Sequence, residues 1–220
     1  MSTTAAKQTA RSEPLTAAEL KAALLAPEQA VGFTITESDS RQGSPSKSAR
    51  VASEEVSPEP CRPVREAPSQ NVPGRGESAA AWSTMYRGKG AFSPRSSLLT
   101  SYPENGARTR MSQLRQAVET CGRFTFSNAY GDASVTTETL TVPDLGDEAV
   151  RYRTLARLGN GGFHYSLVTA VRVGGVIATM QTSDVTGPLP PDELAKFKPD
   201  PNPDEKVIAA LVENVVEAES

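Results

Sequence analysis

Residues 109–183 limit the fold more than any other part of this chain. They open with residues 110–121, where Met111, Leu114, Val118 and Cys121 recur at helical spacing and define one apolar face. Gly122 follows, where a helix usually stops. Strand-like segments come next, separated by glycine turns. Residues 123–127 and 134–140 flank Gly131-Asp132 and predict a hairpin. A strand resumes over 152–158, turns at Gly159-Asn160-Gly161-Gly162, and continues over 163–173. Val173-Gly174-Gly175-Val176 predicts a tight hairpin of the primed-turn type, with a return strand over 176–182. Consecutive antiparallel strands need no crossover helices, so an antiparallel sheet is predicted.

The flanks supply what such a sheet needs as cover. Thr16 and Glu19 form a capping box, with Leu15 placed to staple onto Leu20. Leu20, Ala23 and Leu24 give this first helix a narrow apolar face, and Pro27 ends it. Residues 31–36 alternate apolar and polar and predict a strand. Residues 37–76 are rich in Ser, Pro, Glu and Arg and predict a long loop region, with residues 49–52 and 55–56 as a weak edge strand. Residues 96–102 predict a further strand. Residues 184–203 are proline-rich and predict an extended strap with a helical turn near 192–197. Asn202 is placed to cap a last helix, with Pro203 at its first position. Ile208, Leu211, Val212 and Val215 form its buried face.

The expected fold is therefore α+β. One domain spans 15–220, its N-terminal, central and C-terminal helices packed on one face of the antiparallel sheet. A cleft opens on the other face, partly covered by loop 77–95. Residues 1–14 are expected to be a disordered tether. Aromatics make up only 5% of the chain, and the shortfall lies in its first half, so one core is expected mainly from the second half. The net charge is −3 with both signs interspersed, which excludes the basic stripe of a nucleic-acid footprint. No apolar run approaches the roughly 18 residues of a membrane helix.

Catalytic signatures are missing. His164 is the only histidine, and no G-x-S-x-G elbow accompanies it. His164 and two distant cysteines do not make a metal-ligand set. Asp144, Asp147 and Glu148 form an acidic cluster, read as solvated charge in a turn. The Gly159–Gly162 turn does not lead from a strand into a helix, so a phosphate cradle does not fit. Arg108, Arg110, Arg115 and Arg123 gather near the central helix; they suit an anionic ligand or lipid headgroup, or simply a solvated helix face. Cys61 and Cys121 lie 60 residues apart. They are either two buried thiols or, in an oxidising compartment, a structural disulfide.

The order of short motifs resembles a known family. It runs from Leu15-Thr16-Ala17-Ala18-Glu19-Leu20 through Gly32-Phe33, Cys61-Arg62-Pro63 and Trp82. It continues with Leu99-Thr100-Ser101-Tyr102-Pro103, the helix ending in Cys121, Leu145-Gly146-Asp147-Glu148-Ala149 and Val171-Arg172-Val173-Gly174. This is similar to actinobacterial lipoproteins that carry the sensor domain found outside the membrane in PknH-type receptor Ser/Thr kinases. The resemblance implies an antiparallel sheet with helices on one face, a V-shaped cleft, and extracytoplasmic ligand binding. It implies pairing of Cys61 with Cys121; the family's sensor has two disulfides, and this chain has cysteines for one. It supplies no catalytic residues.

The function expected is a non-catalytic, sensor-like domain holding a small apolar molecule, without cofactor. The pocket wall is expected from Trp82, Met85, Tyr86 and Phe92, with Tyr165 and Met180 from the sheet. The four residues of the 82–92 segment also suit plain edge packing beneath a loop. If Val171 faces the helices, Tyr165 does too, since the two share strand parity. The alternative function is a cofactor-independent cyclase of natural-product biosynthesis, [4+2] ring closure included, which needs only a shaped cavity to hold a polyketide-like substrate in a reactive conformer. A structural envelope protein is a third reading. If Met1 replaces a removed signal and lipid-bearing cysteine, the chain is an exported, membrane-anchored lipoprotein; if Met1 is native, it is cytoplasmic.

Overall fold

The capping box at Thr16 forms as its residues dictate. Thr16 Oγ1 accepts from the Glu19 amide at 3.3 Å, and Glu19 Oε2 accepts from the Thr16 amide at 2.8 Å. Two first-turn donors are thereby satisfied, and Leu15 and Leu20 are fully buried beside them. The computed structural model describes residues 13–44, 54–70, 72, 75–87, 93–128, 131–142, 144–196 and 204–220. The expected tether, apart from Glu13 and Pro14, lies outside the described residues, as do the edge-strand segment 49–52, Phe92, and Asn202 with Pro203.

The elements in chain order are α1 (Ala17–Ala22), β1 (Thr34–Gln42), β2 (Glu55–Ser57), a 3-10 turn (Glu59–Cys61), α2 (Arg62–Glu66), β3 (Ala79–Tyr86) and β4 (Arg95–Ser101). Then follow α3 (Gly106–Thr120), β5 (Arg123–Asn128), β6 (Gly131–Leu140), β7 (Glu148–Leu158), β8 (Phe163–Val173), β9 (Val176–Thr186), α4 (Pro191–Leu194) and α5 (Glu205–Ala218). One nine-stranded sheet runs β1-β3-β4-β9-β8-β7-β6-β5-β2, antiparallel at every pairing. The predicted meander is its middle, β5 to β9, and Val173 pairs with Val176 across the two-glycine turn. Gly174 takes φ +54 there, a conformation that glycine adopts without steric penalty.

The helices do not share one face, and the physical reason lies in β8. Every residue of β8 except His164 is buried, on both sides of the sheet. Val171 and Val173 join Leu20, Ile208, Leu211 and Val215 in a core under α1 and α5. Val168 and Ala170 join Met111, Leu114 and Val118 in a second core under α3 and α2. Successive residues of a strand point to opposite faces, so a strand apolar at every position demands cover on both. The N- and C-terminal helices do share a face, as expected; the central helix takes the other.

Two further expectations are corrected. Residues 79–86, assigned to a covering loop, form β3 inside the sheet; Ala79, Ala80 and Ala81 are all fully buried because their small side chains fit between layers. The first strand begins at Thr34 and runs to Gln42, into the expected loop, while Val31 is 72% exposed. β1 is an edge strand held by backbone pairing to β3, so it needs little apolar alternation. No further strand pairs with it among the described residues.

The last helix starts from a buried ion pair. Asp204, the residue before its first turn, receives Arg95 Nε at 2.6 Å and Arg87 Nη2 at 3.0 Å, tying α5 to the end of β4. A disulfide joins Cys61 to Cys121, with Cα atoms 5.6 Å apart, so the start of α2 is fixed to the end of α3. Replacing both cysteines, Cys61→Ser with Cys121→Ser, removes a 60-residue closed loop and is expected to lower stability by about 4 kcal/mol in urea denaturation.

Candidate functional site

The short helix α2 lies across the second core like a crossbeam. Pro63 in its first turn fits the position where a missing N–H does no harm. Five residues of helix are not stable alone, so outside contacts fix it. The disulfide holds its start. Val64 is buried beneath it, and the Tyr152 hydroxyl donates to the Val64 carbonyl at 2.8 Å. Burial pushes the Tyr152 phenol far above its ordinary range, which keeps it a donor. Arg65 lies 4.7 Å over the Phe126 ring and pairs with Glu54 at 3.0 Å.

The beam leaves a cavity on each side. On the outer side, between α2 and the strands β5 to β8, a small space of about 30 Å³ is bounded by Phe124, Phe126, Tyr152 and His164. His164 Nε2 is 3.3 Å from Ser166 Oγ, and Gln181 Nε2 donates to the same oxygen at 3.0 Å. Burial, and then the charge of Arg65, hold the imidazole below its usual range. Among the described residues no carboxylate bonds the ring, so this serine–histidine contact lacks the orienting acid of a triad.

On the inner side a narrow cleft with about 40 Å³ of enclosed space separates α2 from α3. Pro63 and Ala67 form one wall; Met111 and Leu114, on the α3 face legible in the sequence, form the other. The floor is Ala170, Ile177 and Thr179 from β8 and β9. Arg75, Arg110, Glu66 and Tyr102 converge around it. Arg110 reaches back from α3 and donates through Nε at 3.1 Å and Nη2 at 2.6 Å to the Arg75 carbonyl. Arg75 in turn donates through Nη2 to the Glu66 carbonyl at 3.1 Å and to the Ser69 carbonyl. The two arginines thus hold the segment after α2 against α3. Burial raises the Glu66 carboxyl above its ordinary range, opposed by the charges of Arg75 and Arg62. Burial likewise raises the Tyr102 phenol. Apolar walls with a few convergent polar groups are the usual make-up of a small-molecule site.

The residues expected to line a pocket do not meet in one place. Met85 and Met180 are buried in the core under α1 and α5, and Tyr165 is on that same face of the sheet, in parity with Val171. Trp82 points the opposite way, with the Arg41 guanidinium 5.7 Å from its ring centroid. Tyr86 shares its face, by strand alternation. Trp82 retains a link to the cleft: it pairs with Leu98, Leu98 with Thr179 and Thr179 with Ala170, so one row of the sheet runs from Trp82 to the cleft floor. Phe92 lies outside the described residues. Arg75 and Glu66 carried no sequence signal, and Tyr102 entered only as the end of a strand and part of a family motif; Arg110 carried one, as one of the arginines grouped near the central helix. Among the described residues no cluster of His, Cys, Asp and Glu could hold a metal ion, and no helix is long and apolar enough to cross a membrane.

An open antiparallel sheet with helices on both faces is an α+β fold, and a solved structure shares it. The crystal structure of the extracellular domain of PknH from Mycobacterium tuberculosis matches with a TM-score of 0.58 at 13% identity, over 94% of this chain and 100% of that one. The chain therefore has a PknH-like fold, in line with the sequence resemblance. An uncharacterized protein of Mycobacterium smegmatis, the Rv0999 ortholog, aligns with a TM-score of 0.46 at 16% identity, over 93% of this chain and 98% of that one. No family model and no curated protein sequence matches.

The raised Glu66 carboxyl has a pH signature. Folding holds its proton more tightly than the unfolded chain does. The stability it contributes is complete below the unfolded value and is lost as pH rises through the folded one. In urea denaturation across the mildly acidic range, wild type is expected to lose stability relative to Glu66→Gln as pH increases. Parallel profiles would show that the carboxyl is not held up by burial.

Proposed function

We propose that this chain is a non-catalytic, sensor-like domain that works outside the cytoplasmic membrane and takes a small, mostly apolar molecule into the cleft between α2 and α3. The observation that carries this reading is the cleft itself, with apolar walls on two helices and a few polar groups around it. Its two walls are joined by the disulfide, so the site depends on an oxidised protein. Disulfides persist in oxidising compartments, which supports an extracytoplasmic setting. So does the match to a domain that is itself extracellular. Residues 1–14 then serve as a tether, and a lipid anchor ahead of them would keep the domain at the membrane face.

Two-dimensional ¹H–¹⁵N spectra recorded with indole, cyclohexanol and octanol test the site. Saturable shifts are expected to cluster on α2, α3 and the Ala170–Thr179 floor. Ala67→Phe, which fills one wall, is expected to weaken them at least tenfold while leaving the thermal midpoint within a few degrees. Shifts scattered over the surface, or unaffected by Ala67→Phe, would defeat the proposal.

A further inference from the structure

Four arginines are buried among the described residues: Arg75, Arg95, Arg151 and Arg172. Three of them face carboxylates. Arg95 meets Asp204 at 2.6 Å, Arg151 meets Glu205 at 2.7 Å, and Arg172 meets Asp147 and Glu148 at 2.6 and 2.7 Å. This is what burial of a permanent cation demands, because an unpaired charge away from water is strongly disfavoured. Arg75 is the exception. It is 7% exposed, it has no ion pair among the described residues, and its Nε–H is buried with no hydrogen-bond partner. Its Nη2 spends its bonds on two backbone carbonyls, which carry no neutralising charge.

The Arg75 charge is felt by the Glu66 carboxyl, but the ion pair Glu66 makes, at 3.6 Å, is with Arg62. Arg110, a second cation lining the same cleft, bonds the Arg75 carbonyl and Gln113, again without a carboxylate among the described residues. The cleft thus collects two guanidinium groups against one carboxylate, beside apolar walls. A planar guanidinium with an unused N–H is a ready partner for a carboxylate, and the bond is stronger in a site screened from water.

We infer that the ligand of this cleft is a small amphipathic carboxylic acid, its carboxylate received by Arg75 Nε and its apolar body lying between Ala67, Met111 and Leu114. This rests on the binding role proposed above for the same cleft and adds the chemical class of its ligand. It also accounts for Arg110: by bonding the Arg75 carbonyl from α3, it fixes where the receiving group stands, while its own charge adds to the attraction.

The test compares octanoate with its neutral analogue octanamide at pH 7.5, by titration calorimetry and by the side-chain Nε–H resonance of Arg75. Octanoate is expected to bind at least tenfold more tightly than octanamide and to shift the Arg75 Nε–H signal. Arg75→Gln is expected to abolish the difference by weakening octanoate alone, whereas Arg108→Gln, on the exposed side of α3, leaves it intact. If Arg75→Gln does not fold, the wild-type preference and the Nε–H shift decide the matter. Equal affinity of the two probes within the cleft, or an unmoved Nε–H signal on octanoate binding, would overturn the carboxylate assignment and leave the binding role standing. Binding of neither probe would overturn both.

Discussion

Burial of β8 on both faces is the constraint from which the architecture follows. A strand with Leu167, Val168, Ala170, Val171 and Val173 in close succession cannot leave either side in water. Each fully buried Val or Leu side chain is worth about 1.5–3 kcal/mol over leaving it exposed. An antiparallel sheet can commonly keep one wet face, but this one cannot at its centre. It therefore draws α1 and α5 to one side and α3 with α2 to the other, and the protein acquires two cores that share a middle layer. Each core is closed by one long and one short helix. The first takes α5, with Ile208, Leu211 and Val215 fully buried, and the six-residue α1. The second takes α3 and the five-residue α2.

The two cavities lie on either side of α2. α2 needs a disulfide, a buried tyrosine hydroxyl and an arginine stacked on a phenylalanine to remain in place, because one turn of helix has little cohesion of its own. Held there, it stands off from α3 and leaves the inner cleft. The cleft is thus a by-product of how cover was built for a strand that required it. Its polar groups arrive from the segment after α2 and from the side of α3 that the apolar face leaves over.

Much of this was legible in the residues and some was not. The meander read correctly because its turns are marked by glycines and its strands are long. The buried face of α5 read correctly because Ile208, Leu211, Val212 and Val215 keep strict helical spacing. The uninterrupted apolar run in β8 also announces burial on two faces, but a run of that kind does not say which helix goes where. β3 escaped because three alanines carry little strand signature; their suitability shows only once layers exist on both sides. β1 escaped because Glu37, Asp39 and Arg41 look like loop residues, and pairing through the backbone is blind to side chains. The aromatic cluster around Trp82 drew attention as a pocket, yet strand alternation sends Trp82 and Met85 to opposite faces. Arg75 sits in a polar stretch where an arginine looks unremarkable; only its surroundings in three dimensions mark it out.

The two ends of the sheet bear on how such a domain survives crowding. An open sheet presents a row of unmatched peptide groups along each outer strand, and another molecule can extend the sheet by pairing there. Here one outer strand, β2, is three residues long and offers too little to template. The other, β1, is nine residues long but carries Glu37, Asp39 and Arg41 on one side and serines on the other. A second copy docking in antiparallel register would have to strip water from these charged and polar side chains, with little apolar contact to offset it. Edge-to-edge joining of copies into an extended sheet is thereby disfavoured.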